Sequence, residues 1–443
     1  MKKIFFIGIN GIGMSGLAKI MAKTGYCVSG SDKTKKDVSI ELENLGVEIH
    51  YKHDAKNIKG IDLVVRSSAI EQNNPEYRYA IENGIQVIKR GQLLAELFKE
   101  KCGIAIAGTH GKTTTSSMLG AVMLPLDPTI VVGGILPEIN SNAHCGTGKF
   151  LIAEADESDN SFLYLLPEYS IITNIEADHL ENHGSFENIK KSFIQFYEQT
   201  KKLTLLNIDC LESENTLGSK DKIVTYSIEK KANIYANNIK IIDGKSVYDV
   251  ILNGQLLGKF ILAVPGRHNI SNSLGVIYLA YTLGVSLEEI KIKLKFFKGA
   301  KRRYEILLDG DLRIIDDYAH HPTEIRATLE GAKKIETKKI TAIFQPHKYS
   351  RTKFLYEEFK GCFDLADDVI LLPVYSAGEE NIYGITLEEL ASDIYTSGNV
   401  KILTTMEEII EIVRAAEDRT FIFMGAGTVS QMAYEVVKNL EVE

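Results

Sequence analysis

The first hundred residues alternate between short apolar runs and helix-forming stretches, and this alternation restricts the fold more than any other feature. "KIFFIGI", "YCVSGSD", "VEIHY", "DLVVRSSA" and "IQVIKR" have strand character, and "GLAKIMAKTG", "VSIELENLG" and "PEYRYAIENG" lie between several of them. Strands alternating with helices form a parallel sheet covered on both faces. "GQLLAELFKEK" leads into a second unit, which opens with the strand "GIAIAG", a glycine turn and the helical run "TTSSMLGAVML". The strands "FLIAEAD" and "YSIITNI" follow. Between 203 and 262 the texture changes to short strands and turns, a small antiparallel addition, and the helix "NISNSLGVIYLAYTLG" closes the segment. From about residue 300 the alternation returns in "LRIIDDY", "KITAIFQP", "DVILLPVY", "VKILTT" and "TFIFMGAG", with helical stretches such as "PTEIRATLEGAKKI" and "TKFLYEEFKGCFDLA" between them. At 443 residues the chain is too long for one core. Three α/β domains are expected, at 1–98, 99–298 and 299–443.

The formal net charge is −8 and the pI about 5.8, so no nucleic-acid partner is expected. Cys27, Cys102, Cys145, Cys210 and Cys362 have no C-x-x-C spacing and read as reduced thiols rather than a disulfide scaffold or zinc site. The opening "MKKIFFIGINGIGMSGLAKI" imitates a signal peptide, but Asn10 and the glycines around it favour a buried first strand. No apolar stretch is long enough to span a bilayer, so no membrane partner is expected. The expected setting is cytoplasmic, and the expected state is a monomer or weak homodimer.

Two glycine-rich turns follow strands and precede helices. "GINGIGMSG" contains Gly11-x-Gly13-x-x-Gly16, and Asp32 ends the next strand. This is the dinucleotide fingerprint, and an NAD-dependent dehydrogenase is the first reading. The physics requires only a diphosphate on a helix N-terminus, which UDP also supplies. The second turn, "IAGTHGKTTT" (106–115), departs from the common phosphate loop, which has a glycine four residues before Gly-Lys-Ser/Thr. Ile106 stands where that glycine belongs, and the glycine is at 108. Gly108 and Gly111 still let backbone N–H groups approach an anion, Lys112 supplies a mobile charge, and the Thr113 hydroxyl can ligate Mg²⁺. The alternative is a surface turn with an incidental lysine.

"AGTHGKTTT" resembles the shortened phosphate loop of the Mur ligases, the ATP-dependent amide-forming enzymes of peptidoglycan precursor synthesis, and the resemblance extends over essentially the whole chain. It implies a Rossmann-like UDP-binding first domain, a P-loop ATPase-like central domain, and a Rossmann-like third domain that takes the amino acid and closes over ATP. ATP would be held by Gly108, Thr109, His110, Gly111, Lys112, Thr113 and Thr114. The diphosphate of the UDP substrate would lie near Gly11, Gly13, Met14, Ser15 and Gly16, with Asp32 towards the uridine and Ser67 and Ser68 of "RSSAI" lining the same cleft.

Polar clusters farther on take roles from the same resemblance. "EADESD" (154–159) ends a strand; by itself a run of four acids reads as a solvated loop, whereas Glu154 matches the family's magnesium glutamate. In "NIEADHLENHG" (174–184), His179 matches the histidine that binds a second Mg²⁺, while Glu181 and His183 depart from the commoner Asp and Tyr and have no assigned role. Asn269 and Asn272 of "PGRHNISN" match adenine contacts, with N-capping by Asn269 as the alternative. Arg303 of "GAKRRYE" matches an arginine that reaches the ATP phosphates; without the family, adjacent arginines there read as solvated. "DDYAHHPTE" could be a metal site or hold a general base; the resemblance instead turns Asp317 to the ATP ribose, and Tyr318 and His320 to the amino-acid pocket. "FQPHKYSRT" (344–352) is similar to the alanine-adding members, with Arg351 holding a substrate carboxylate. Lys348 stands where many relatives have arginine, and a lysine cannot make a bidentate fork.

The implied reaction joins L-alanine to the lactyl carboxylate of UDP-N-acetylmuramate. ATP phosphorylates the carboxylate, the amine attacks the acyl phosphate, and phosphate leaves. Lys112, Mg²⁺ and Arg303 would stabilise the transferring phosphoryl group, and His179 and His320 are candidates for taking the ammonium proton. A recycling ligase that attaches a murein tripeptide to the same UDP-sugar remains the near alternative.

Overall fold

The structure, a computed structural model, describes residues 2–178, 180–242 and 244–441. The first sheet and its helices comprise β1 (Lys3–Ile7), α1 (Ile12–Lys23), β2 (Cys27–Ser31), α2 (Asp37–Asn44), β3 (Glu48–His50), β4 (Leu63–Arg66), α3 (Pro75–Glu82), β5 (Gln86–Lys89) and α4 (Arg90–Glu100). Its order is β3-β2-β1-β4-β5, and every pair is parallel. Both faces of β1 are covered, which is why "KIFFI" is an unbroken apolar run. The strand order reverses across β1 and β4, so the loops that follow them border the crevice in which open α/β sheets take ligands.

The second sheet begins with β6 (Cys102–Ala107), α5 (Lys112–Met123), β7 (Thr129–Leu136), β8 (Ser141–His144), β9 (Phe150–Glu154) and β10 (Tyr169–Ile172). It continues through α6 (Leu180–His183), α7 (Phe186–Gln199), β11 (Leu203–Asn207), α8 (Leu211–Leu217) and β12 (Ile223–Ser227). Then come β13 (Ile234–Ile242), β14 (Lys245–Leu252), β15 (Gln255–Leu262), α9 (Arg267–Thr282) and α10 (Leu287–Phe296). The order is β15-β14-β13-β12-β11-β10-β6-β9-β7-β8. β6 is parallel to both β10 and β9, so the phosphate loop leaves the centre of the sheet. The antiparallel addition expected over 203–262 is narrower than that, because β11, β12 and β13 continue the parallel sheet from β10. Asn253 and Gly254, at φ 49° and 82°, form the two-residue turn between β14 and β15, a connection open only to antiparallel strands.

The third sheet uses β16 (Glu305–Leu308), β17 (Leu312–Asp317), α11 (Pro322–Ile335), β18 (Lys339–Phe344), α12 (Tyr349–Phe354), α13 (Tyr356–Gly361) and β19 (Asp368–Leu371). It ends with α14 (Leu387–Asp393), β20 (Val400–Ile402), α15 (Met406–Arg414), β21 (Arg419–Met424) and α16 (Val429–Glu441). In the order β16-β17-β21-β18-β19-β20 only β16 is antiparallel to its neighbour. Apolar layers cover both faces, one around Phe344, Phe359 and Phe363 and the other around Phe421, Phe423 and Val436.

Two compact units result: Met1–Asn238 with Tyr248–Phe260 and Ser271–Phe297, and Ile239–Val247 with Ile261–Ile270 and Lys298–Glu443. The first unit fuses the first two sheets through α1, which is buried from Met14 to Met21. Lys19, 4% exposed, donates to Ser141 Oγ (2.9 Å) and Asn142 Oδ1 (2.7 Å) and pairs with Glu41. Other features also differ from the sequence reading. β7, β8, α7 and α8 were not anticipated, α10 follows the helix expected to close the second segment, and the helix expected over "TKFLYEEFKGCFDLA" is interrupted at Leu355. Among the described residues, no helix is long and apolar enough to cross a membrane.

Candidate active site

The phosphate loop is shaped by two glycines and fastened by the exit of β10. Gly108 has φ 137°, and a Cβ there would stand 2.0 Å from Thr173 Oγ1. Gly111, at φ 83°, ends the loop, and a Cβ there would meet the Asn272 amide at 3.2 Å. Asn174 Oδ1 accepts the His110 N–H (2.8 Å), its Nδ2 donates to the His110 carbonyl (3.1 Å), and Thr109 Oγ1 accepts the Glu176 N–H (2.9 Å). The first-turn amides of α5 have no intrahelical acceptor and form, with the helix dipole, an anion-binding end. Thr113 and Thr114 belong to that turn.

Lys112 Nζ donates to the carbonyls of Gly108 (2.6 Å) and Thr109 (3.0 Å) and to Glu157 Oε1 (2.8 Å). Burial works to lower the lysine pKa, but Glu157, Asp156 and Glu154 outweigh it and hold it above its ordinary value. Glu157 is 3% exposed, so the acid run is not a solvated loop. Burial raises its pKa and Lys112 reverses this only in part. Burial also acts to raise that of Asp156, but Arg90, Lys112 and Ser158 hold it below the usual carboxylate range. Arg90 pairs with Asp156 at 2.9 Å, and its guanidinium lies 3.0 Å from where a Cβ on Gly13 would be.

Glu154 faces the start of α5. Its carboxylate accepts the Gly133 N–H (2.6 Å), Ser116 Oγ–H (3.1 Å) and Thr113 Oγ–H (3.2 Å). A hydroxyl and a carboxylate meeting beside a phosphate loop suit Mg²⁺, a hard cation that takes few protein oxygens and completes its shell with phosphate and water. Among the described residues, no three His, Cys, Asp or Glu side chains form a ready-made metal cage. His179 lies outside the described residues. His183 is buried, and its Nε2 meets the Glu157 carbonyl at 2.9 Å, a contact that gives this departure from the family pattern a place in the acid loop.

In the first sheet, Gly11 and Ile12 are exposed at the start of α1 and Gly13 is half-buried, whereas Met14, Ser15 and Gly16 pack inward. Asn142 Nδ2 reaches the Ile12 carbonyl (2.5 Å) and Ser15 Oγ (3.1 Å), and a Cβ on Gly16 would stand 3.2 Å from that amide. Asp32 accepts the N–H groups of Asn10 (3.0 Å) and Lys33 (2.8 Å), which organises the turn between β1 and α1. The Ser67 N–H donates to the Ile7 carbonyl (3.2 Å), and Ser68 is exposed. Sequence reasoning missed Glu76. It is fully buried and accepts from Ser31 Oγ (2.6 Å) and Asn57 Nδ2 (2.7 Å), with His53 Nδ1 at 2.8 Å. Its only sequence signal was an acid next to Pro75 in the first turn of a helix.

In the second unit, Asp317 is buried with both oxygens occupied by the Tyr304 N–H (2.8 Å), the Ala319 N–H (2.8 Å) and Thr328 Oγ–H (3.3 Å). Burial raises its pKa. The Arg302 and Arg303 guanidinium carbons lie 4.9 and 5.0 Å from the Tyr318 ring centre, so neither arginine is simply solvated. His320 meets Tyr318 edge-on at 5.2 Å and His347 at 6.1 Å, and His347 stacks on Tyr375 at 5.4 Å. Arg351 Nη1 is 3.3 Å from His347 Nδ1. Burial, with Arg351 and Lys348, pushes His347 down to about 4. Lys348 opens α12 at φ 70°. His347 and Tyr375 thus join Tyr318, His320 and Arg351, and the stacking partner lies 28 residues farther along, where spacing gave no signal. Asn269 Nδ2 donates to the Pro265 carbonyl (2.5 Å), and its Oδ1 is buried without a hydrogen-bond partner among the described residues.

Three α/β sheets, with a shortened phosphate loop leaving the centre of the second, define a nucleotide-site protein of the Mur ligase family, and the chain belongs to that family. "Mur ligase family, catalytic domain" matches residues 3–101, "Mur ligase middle domain" 106–280, and "Mur ligase, glutamate ligase domain" 302–427. The chain is 53% identical to the UDP-N-acetylmuramate--L-alanine ligase of Fusobacterium nucleatum subsp. nucleatum, across 100% of this chain and 97% of the relative. It is 40% identical to the enzyme of that name from Aquifex aeolicus, across 100% and 98%. The crystal structure of UDP-N-acetylmuramate-alanine ligase from Thermotoga maritima superposes with a TM-score of 0.84 at 30% identity, covering 100% of both chains.

Proposed function

We propose that this protein is an ATP-dependent ligase that joins L-alanine to the lactyl carboxylate of UDP-N-acetylmuramate, through an acyl phosphate, in peptidoglycan precursor synthesis. The observation that carries this is the phosphate loop itself, with Lys112 beside Glu157 and Thr113 beside Glu154, in a chain 53% identical along its full length to an enzyme named for that reaction. The domains are taken as 1–98 for the UDP-sugar, 99–298 for ATP and 299–443 for the amino acid.

A carboxylate does not react with an amine until one oxygen becomes a leaving group, and phosphorylation supplies it. Lys112 and Arg303 are assigned to the phosphate oxygens, where positioning and charge stabilisation accomplish most phosphoryl transfer. Thr113 and Glu154, with His179, are assigned to Mg²⁺, which when bound neutralises phosphate charge. Gly108, Thr109, His110, Gly111 and Thr114 form the rest of the phosphate cradle. The unfilled Asn269 Oδ1 suits an adenine amino group, with Asn272 beside the loop. Asp317 is assigned to the ribose side.

Gly11 and Gly13 are assigned to the UDP diphosphate, with Ser67 and Ser68 across the β1/β4 crevice. Met14, Ser15 and Gly16 support that end of α1 from behind, and Asp32 shapes its turn. Tyr318, His320, Lys348 and Arg351 are assigned to alanine. His320 is retained as a candidate for taking the ammonium proton, as is His179. We place the enzyme in the cytoplasm, as a monomer or weak dimer.

Orthophosphate release from ATP is the test, with UDP-N-acetylmuramate present and alanine, glycine, serine or a murein tripeptide offered separately. Release that requires the UDP-sugar and is fastest with alanine is expected. Release with the tripeptide alone would reassign the chain to peptide recycling, and none under any condition would refute a ligase.

A further inference from the structure

All three ammonium protons of Lys112, the residue assigned to phosphate, are engaged by the protein: two by loop carbonyls and one by Glu157. A lysine held this way differs from a solvated one. Reaching a phosphate means breaking a buried ion pair, and Glu157 has no easy route to follow. Its main-chain carbonyl is held by buried His183 (2.9 Å), and the next carbonyl, that of Ser158, accepts from Asn182 Nδ2 (3.0 Å). Its other carboxylate oxygen, Oε2, is buried with no hydrogen-bond partner among the described residues.

The neighbouring acids cannot replace it. Asp156 is engaged by Arg90 and Ser158, and Glu154 by Thr113, Ser116 and Gly133. Glu157 is therefore the one carboxylate in the cluster whose only side-chain partner among the described residues is the lysine.

We propose that Glu157 is a positioning residue that docks Lys112 against the floor of its own loop, so that a nucleotide phosphate must displace the Glu157 carboxylate from Nζ in order to engage the lysine. The inference rests on the nucleotide reading of the loop. It deepens that reading by making nucleotide affinity the outcome of a competition between two anions for one ammonium. A residue that merely braced the loop would weaken nucleotide binding when changed. A competitor strengthens it.

The test is titration calorimetry with ADP, without added metal, on the full-length protein, with UDP-N-acetylmuramate binding as the control. Glu157→Gln keeps the shape and removes the charge. ADP is expected to bind about tenfold more tightly, the scale of one charged hydrogen bond released to a ligand, with UDP-sugar affinity unchanged. In a Lys112→Met background the same substitution should have no effect on ADP, because the competition acts only through the ammonium. Glu157→Asp, which keeps the charge but shortens the reach, should tighten ADP binding less; it serves if the glutamine variant does not fold. Unchanged or weaker ADP binding in a folded variant overturns the proposal, as does a gain that persists without Lys112. Failure of the unaltered protein to bind ADP at all would instead overturn the nucleotide reading of the loop.

Discussion

Gly108 and Lys112 show how narrowly single residues are held at the phosphate loop. A methyl group at Gly108 would lie 2.0 Å from Thr173 Oγ1, at a φ of 137°. Gly108→Ala should lower stability by about 2–4 kcal/mol through overpacking and backbone strain, read from denaturant unfolding. Lys112→Ala should lower turnover at least about a hundredfold, the scale of one lost charge stabiliser. It should also lower the melting temperature, because Glu157 is left buried and unpaired. Adding Glu157→Gln should recover part of that temperature without recovering turnover. The loop was legible in the sequence because glycine, lysine and threonine stand in fixed order between a strand and a helix. Glu157 was not, since the motif marks only Glu154 among the acids of "EADESD", and it is the fold that buries Glu157 beside a lysine 45 positions away.

Among the elements, α1 carries the contact that fuses the first two sheets. Asn142, fully buried, binds the Ile12 carbonyl, Ser15 Oγ and Lys19 Nζ together. Asn142→Ala should destabilise the protein by about 2–4 kcal/mol, since it strands several buried polar groups. It should also weaken UDP-N-acetylmuramate binding more than ADP binding, because it releases the start of α1; calorimetry on both ligands checks this. The same contact explains why β8 went unread. "SNAH" is polar and looks like a turn, yet it pairs antiparallel with β7, and its buried Asn142 faces polar partners on α1. Hydrophobic periodicity registers apolar faces only.

For the whole molecule, pH is the variable that sums over sites. Burial pushes His268 down to about 4, and burial with Arg351 and Lys348 does the same to His347. Between about pH 4 and 6.5 the unfolded chain binds these two protons and the folded chain does not. Asp316 acts in the opposite sense. Burial raises it to about 6, so below that pH the folded chain holds a proton that the unfolded chain lacks down to about pH 4. Burial raises the Asp317 and Glu157 carboxyls as well, so the two histidines lower stability on acidification from 6 to 4 and the three raised carboxyls offset that loss. Unfolding curves at successive pH values read the balance, and Asp316→Asn should make stability fall by about 1 kcal/mol more per pH unit between 6 and 4 than in the unaltered protein. The sequence alone determined the α/β class, the two glycine turns and the family's reaction, because strand–helix alternation and short motifs are local and survive as text. Which acid holds Lys112, which polar strand carries α1 and which aromatic ring backs His347 were decided only by tertiary structure. Those pairings depend on burial, and burial brings together residues that chain distance keeps apart.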